Sequence, residues 1–384
     1  MTAGHAIRAA APMRVALVCP TVGQTRRGYE RFVTDLFRLV RTDLEVTLFK
    51  GGGEPAPDEV MVRHISRTGM IARLAGPRAP YTRYRLEFAS FAAALWPHLL
   101  RGRFDVVHVI DPPLARPLSA MRRLVRSEYR LVFTDGGPVP FDASPYADLV
   151  HYVTPAAQQA ALARGASAER ISMLPVGVDT AGMAGLGERD ALRRERGVGA
   201  ETFVILAVTT LNRHHKRVDY LIDEIARLPG DILLWIDASV HPDGDASLLA
   251  LARERLGTRF RHTHVASDRI GELYRLADVM VSTAFHESFG MAIAEAMCAG
   301  LPVIAHDSPH FRWLVGGRGH LVDMRAPGVL AARLAYLMDH RDELHDLADG
   351  DGAMRRFGWE AQKEGYLDLY RRALASVTRE APAL

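Results

Sequence analysis

Short apolar runs punctuate this chain, and between them apolar residues recur at the three-to-four-residue spacing of a helix. In the first half the runs are Arg14–Cys19, Glu45–Phe49, Asp105–Ile110, Leu131–Thr134 and Leu149–Val153. In the second they are Phe203–Val208, Ile232–Ile236, Val279–Ser282, Pro302–Ala305 and His320–Val322. Runs this short, separated by helical stretches, predict parallel strands buried on both faces. Tyr29–Val40, Arg217–Leu228, Ala246–Leu256, Arg269–Leu276 and Ala326–Met338 carry the helical pattern. The alternation predicts an α/β protein.

The segment Leu174–Asp179 breaks the pattern with Pro175 and Gly177, and Asp179 is placed to cap a following helix. It divides the chain into a first domain over 13–174 and a second over 175–358. A terminal segment, 359–384, carries Tyr366, Leu367, Leu369, Tyr370 and Leu374 at helical spacing and is expected to pack back on the body. Two Rossmann-like halves would hold ligand at the carboxyl ends of their strands.

Composition adds exclusions. The chain has 384 residues, 48% hydrophobic and 24% charged, which is ordinary for a soluble protein of two domains. Its formal charge of +3 implies no nucleic-acid partner. The apolar core of its start, Val15–Pro20, is too short for a secretion signal and reads as a first strand after a loose tail. No apolar run approaches the roughly 20 residues that span a bilayer. Cys19 and Cys298 lie far apart inside apolar runs, with neither disulfide nor metal spacing, which suits a reducing cytoplasm. Between Val62 and Arg130, thirteen arginines meet only Glu87, Asp105, Asp111 and Glu128. Such a half suits anionic lipid at the inner membrane face, or an anionic acceptor. Solvated helix faces are the plainer reading.

The chemistry concentrates in Phe285–Pro302, FHESFGMAIAEAMCAGLP. A strand leads into a loop, and a helix is expected from about Ser288 until Gly300 and Pro302 stop it. That helix is small and apolar apart from Glu295, a costly place for a carboxylate unless something specific holds it. Glu287 precedes it. The amides of Ser288, Phe289, Gly290 and Met291 are expected to form an anion site, with Gly290 allowing close approach. On spacing alone, a core helix with one internally bonded carboxylate explains the segment equally well.

The whole string resembles the Glu-x7-Glu signature of glycosyltransferase family 4, a large family of retaining enzymes. Glu287 and Glu295 have its separation, and E-x-F-G followed by E-A-M-x-x-G-L-P-V-I-A matches closely. A weaker resemblance runs from Met13 to about Arg372. It implies a GT-B fold, two Rossmann-like α/β domains facing each other across a cleft. It implies that Glu287 contacts the transferred sugar, that Glu295 accepts hydrogen bonds from the donor ribose, and that Phe289-Gly290-Met291 lies along the diphosphate and sugar. It implies no cofactor and no divalent metal.

Three further segments bear on this resemblance. In Val208–Arg217, Lys216 matches the family's diphosphate lysine. The usual arginine is replaced by Thr210 or Leu211, the usual glycine by Arg217, and Arg213 stands one turn away as a substitute charge; a basic surface loop is the alternative. In Val22–Glu30, Gly28 matches a glycine near donor phosphate and acceptor, and the lack of GxGxxG argues against a dinucleotide. In Leu131–Pro138, Asp135 stands where the family commonly has a histidine, either to hold sugar or acceptor or to cap the Gly136-Gly137 turn. His108 and Asp111 are further candidate acceptor contacts, although a histidine in His108's position is more often structural. Asp243-Gly244-Asp245 lies far in sequence from these residues, so it does not read as a metal pair.

The expected function is transfer of a hexose from a nucleotide-diphosphate sugar to a hydroxyl of a glycan, a lipid-linked glycan or a small metabolite. The rivals are a silent binding subunit on the same scaffold, or a phosphorylase or epimerase.

Overall fold

A computed structural model describes residues 12–24, 28–67, 69, 80–136, 141–183, 187–240 and 244–376. They fall into two compact units, one holding the described residues up to Pro175 and from Lys363 onward, the other Val176–Gln362. The tail before Pro12, and the expectations placed on Thr25–Arg27, Gly137, Pro138 and Asp243, lie outside the described residues.

The first unit is a seven-stranded sheet with order β3-β2-β1-β4-β5-β6-β7. Its strands are β1 Arg14–Cys19, β2 Glu45–Lys50, β3 Glu59–Met61, β4 Val106–Val109, β5 Arg130–Asp135, β6 Leu149–Tyr152 and β7 Ile171–Met173. All pairings are parallel, with Val15 opposite Val46 on one side and Val106 on the other. Central strands are buried along nearly their whole length, as the apolar runs require. The helix Gly28–Val40 buries Phe32, Val33, Leu36, Phe37 and Val40, one helical stripe. The final helix, Trp359–Ala375, sends Tyr366 and Tyr370 into this unit's interior.

The second unit repeats the scheme with order β10-β9-β8-β11-β12-β13, again all parallel. Its strands are β8 Phe203–Val208, β9 Ile232–Asp237, β10 Phe260–Thr263, β11 Val279–Val281, β12 Val303–His306 and β13 His320–Val322. Ile205, Ile222, Leu234, Ile236 and Val281 are core residues of one apolar face.

Three strands escaped the sequence reading: β3, β7 and β10. Each lies at a sheet edge, and each is short and partly exposed, so none leaves a continuous apolar run. Asp179 caps no α-helix. Its Oδ1 accepts from the Ala181 amide at 3.0 Å, and among the described residues the element that follows it is the 3-10 turn Ala181–Met183. Just before it, Val178 pairs with Gly358, and a Cβ on Gly177 would overlap the Trp359 ring.

In each unit the chain moves outward from a central strand, crosses back, and then moves outward on the other side. The crossover falls between β1 and β4 in the first unit and between β8 and β11 in the second. The crevice beyond the carboxyl ends of such a pair is where open α/β sheets take ligands.

Candidate active site

The loops after β8 and β11 meet at the second unit's crevice. Lys216 Nζ donates to Glu287 Oε1, an ion pair whose side chains keep one fifth and one seventh of their surface exposed. Seventy-one residues of sequence separate the partners. His215 Nε2 bonds the His286 carbonyl at 2.8 Å, and Thr283 Oγ1 lies 2.7 Å from the Lys216 carbonyl. The two loops are thus sewn together through backbone as well as charge.

The helix after Glu287 starts at Met291 and ends at Cys298, later than the expected start near Ser288. Gly290 takes φ +100°, a left-handed shape outside the helical region, so it precedes the helix. The amides that an α-helix leaves without an internal acceptor are therefore those of the turn opening at Met291. Ser288 and Phe289 belong to the preceding loop, which is anchored from behind. The Phe289 ring is buried edge-on against Trp313 and Phe357, and His310 Nε2 bonds the Phe289 carbonyl at 3.0 Å. That contact places a proton on Nε2, and burial holds the His310 pKa below its ordinary value.

Glu295 is 4% exposed, and its Oε2 accepts from the Tyr274 hydroxyl at 2.8 Å. The internal partner of the plain reading therefore exists. Tyr274, His310 and Trp313 were missed by the sequence reading. Their only trace was a polar or aromatic group inside a short apolar helix, which also fits simple packing.

Arg213 is engaged elsewhere. Its Nε donates to Asp245 Oδ2 at 2.6 Å, its Nη2 to Ser247 Oγ at 3.1 Å, and Asp219 lies 3.9 Å away. Asp245, distant in sequence, is thus brought to the loop that carries Lys216, and its amide also donates to the Leu211 carbonyl at 2.8 Å.

In the first unit, Gly28 opens its helix at an exposed position. The glycine that geometry demands nearby is Gly23, at φ +81°, where a Cβ would lie 2.1 Å from the Gly52 carbonyl. Asp135 is the last residue of β5, opposite Tyr152 in the sheet, and is partly exposed. Asp111 follows β4 at this unit's crevice, and burial, then the Glu30 charge, pushes its carboxyl up to about 7. His108 faces inward. Its Nε2 lies 2.6 Å from Thr134 Oγ1 and its Nδ1 3.0 Å from the Tyr370 hydroxyl, and burial depresses its pKa to about 3. It is structural.

Comparison with known proteins adds two family matches. Residues 26–181 match the model described as Glycosyltransferase Family 4, and residues 202–340 match Glycosyl transferases group 1. A D-inositol 3-phosphate glycosyltransferase of Xylanimonas cellulosilytica is 33% identical over 232 residues, 57% of this chain and 54% of the relative. An MMP alpha-(1->4)-mannosyltransferase of Mycolicibacterium hassiacum is 26% identical over 220 residues, 55% of this chain and 50% of the relative. The chain spans about half the length of the curated relatives it matches. Among solved structures, sucrose-phosphate synthase from Thermosynechococcus elongatus superposes with a TM-score of 0.79 at 18% identity, covering 95% of this chain and all of that one. HepE of Anabaena in complex with UDP-glucose gives 0.74 at 19%, with the same coverage. At such identities the likeness establishes the fold, two Rossmann-like domains of the GT-B class, as the sequence led one to expect.

Proposed function

The chain belongs to glycosyltransferase family 4, the glycosyl transferases group 1, and on that premise we propose that it moves a hexose from a nucleotide-diphosphate sugar to an acceptor hydroxyl with retention of configuration. The observation that carries this reading is the Lys216–Glu287 pair, made by the loops after the switch-point strands β8 and β11, beside the helix start at Met291 whose helix also carries Glu295.

In this reading Lys216 and the first-turn amides receive the diphosphate, and their positive charge takes up what develops as the sugar–phosphate bond breaks. Glu287 then passes from Lys216 to the sugar, positioning it without attacking it. Glu295 holds the ribose, with Tyr274 keeping its carboxylate in place. The acceptor oxygen bonds to the same face of the sugar carbon, and its proton passes to a phosphate oxygen of the leaving group. Asp135 is kept as a hydrogen-bonding group for sugar or acceptor. Arg213 takes part only after exchanging Asp245 for phosphate. Positive protein groups replace a divalent metal, and no cofactor is used.

HepE of Anabaena, which shares the fold, has been solved in complex with UDP and with UDP-glucose, so UDP-sugars are the first donors to try. No helix among the described residues is long and apolar enough to cross a membrane. Exposed Leu124 beside exposed Arg123 and Arg126 supports peripheral contact with anionic lipid on the cytoplasmic side.

The test is a panel of UDP-, GDP- and ADP-sugars against acceptors that include inositol phosphate, with EDTA present. NMR of the product reads the anomeric configuration. An α-linked product from an α-linked donor, formed without metal, is expected. An inverted product, or turnover abolished by EDTA and restored by Mn²⁺, would overturn this mechanism.

A further inference from the structure

Arg217 adopts a backbone shape that side chains rarely take. Its φ and ψ are 51° and 45°, left-handed, at the position before the helix Val218–Ala226. A glycine would hold this shape without crowding, and glycine is what the resemblance leads one to expect here. Something must offset the strain, and the side chain supplies it. The guanidinium carbon lies 3.8 Å from the centroid of Phe285 and 4.2 Å from that of Tyr220. Both are close cation–π contacts. Nη1 also donates to the Thr283 carbonyl at 3.4 Å, while Thr283 Oγ1 sits 2.7 and 3.2 Å from the carbonyls of Lys216 and Arg217.

These partners have a pattern. Tyr220 lies on Arg217's own helix, whereas Thr283 and Phe285 lie in the loop after β11. Lys216 is the residue before Arg217, and Glu287 is two residues beyond Phe285. Phe285 is held in turn by the His306 ring, at 4.7 Å between centroids, from the end of β12. The contacts of Arg217 therefore join the two loops immediately behind the Lys216–Glu287 pair.

We propose that Arg217 is a positioning residue, a clasp that fastens the loop after β8 to the loop after β11 and so assembles the Lys216–Glu287 pair before donor arrives. The inference rests on the donor-site reading for its effect on transfer, but not for the clasp itself. A glycine at this position would remove the guanidinium contacts and leave the tying of the loops to Thr283 and His215. An arginine adds a flat cation between two rings and removes the freedom of the backbone beneath it.

Arg217→Asn tests this, because asparagine tolerates the left-handed shape and lacks the cation. Arg217→Lys is the rescue variant, since it restores charge over the rings. Hydrogen exchange should quicken about tenfold at amides of 209–217 and 283–290 in the asparagine variant, with the rest of the second unit unchanged. The donor KM should rise about tenfold while kcat moves less than about twofold, and lysine should recover part of both. Unchanged exchange in both loops would overturn the clasp. Quickened exchange with unaltered donor KM, where Lys216→Ala does weaken the donor, would overturn its positioning role. If Lys216→Ala leaves donor binding intact, the donor reading fails and the exchange result alone decides the clasp.

Discussion

Glu295 accepts through Oε2 from the Tyr274 hydroxyl, and a carboxylate with a second oxygen can serve a ligand as well. Glu295→Gln keeps the shape and removes the charge. Nucleotide-sugar affinity should fall by more than about tenfold, roughly 1.5–3 kcal/mol for a charge-assisted bond, while melting temperature changes little. Calorimetry showing unchanged affinity would make Glu295 a core residue only. Asp245 offers a test of Arg213. If the Arg213 charge turns to the diphosphate, Asp245→Asn should tighten nucleoside diphosphate binding severalfold at low salt, since one competitor is gone. Equal affinity in both proteins would remove Arg213 from the site. Asp135→Asn should leave donor binding intact and lower turnover at least about tenfold, or about 1.4 kcal/mol of barrier. Normal turnover with a lower melting temperature would instead assign Asp135 to its turn.

At the scale of elements, the start of the Met291–Cys298 helix turns on Gly290. A Cβ there would lie 2.7 Å from Leu314 Cδ2, and the backbone angle would be strained in any other residue. Gly290→Ala is expected to cost about 1–3 kcal/mol and to misplace the amides that follow. Both melting temperature and nucleotide affinity should drop, whereas an alanine that lowers stability alone would separate the glycine from binding. The final helix is tied to the first sheet by a buried relay. Tyr370 O–H donates to His108 Nδ1, His108 Nε2 to Thr134, Thr134 to His151 Nδ1, and His151 Nε2 to the Leu174 carbonyl. This order of donors follows from the carbonyl at its end, which requires a proton on His151 Nε2. It works only with both imidazoles neutral.

That relay sets an expectation for the whole molecule. Burial lowers the pKa of His108 to about 3 and of His151 to about 4, below their ordinary 6.5. A base whose folded pKa is depressed contributes stability that is present above the unfolded value and lost as pH falls toward the folded one. His151→Gln keeps a donor and an acceptor and cannot titrate. Any stability advantage of the native chain over this variant should hold above about pH 6.5 and shrink as pH falls toward about 4. An advantage independent of pH across that window would mean that His151 is not buried neutral. The two units have separate cores, and the proposed donor groups around Lys216 lie in the second. Calorimetry should therefore show a nucleoside diphosphate raising one transition, by about 2.7 kcal/mol at a hundredfold excess over Kd. An equal rise in every transition would argue against a site confined to that unit.

The central parallel strands of both sheets could be read from the chain because a strand buried on both faces must be largely apolar. The Glu287–Glu295 spacing was legible for a similar reason: it lies within one loop and one helix, where sequence distance fixes spatial distance. β3, β7 and β10 were hidden because each is a short edge strand with polar residues in it that leaves no apolar run; β13, also at an edge, was legible through Leu321 and Val322. The helix start was misplaced by three residues, since only the fold shows that Gly290 turns left-handed against Leu314. Nor did spacing show that Lys216 meets Glu287, that Asp245 holds Arg213, or that Tyr274 holds Glu295. Those partners stand 71, 32 and 21 residues apart; the first two meet because parallel strands bring the loops at their carboxyl ends to one edge, and the third because the helices before and after β11 pack side by side. The sequence determined which chemical groups this protein owns and which segments bury; the crossover of the sheets decided which of those groups touch, because contact across strands depends on strand order, which no local pattern records.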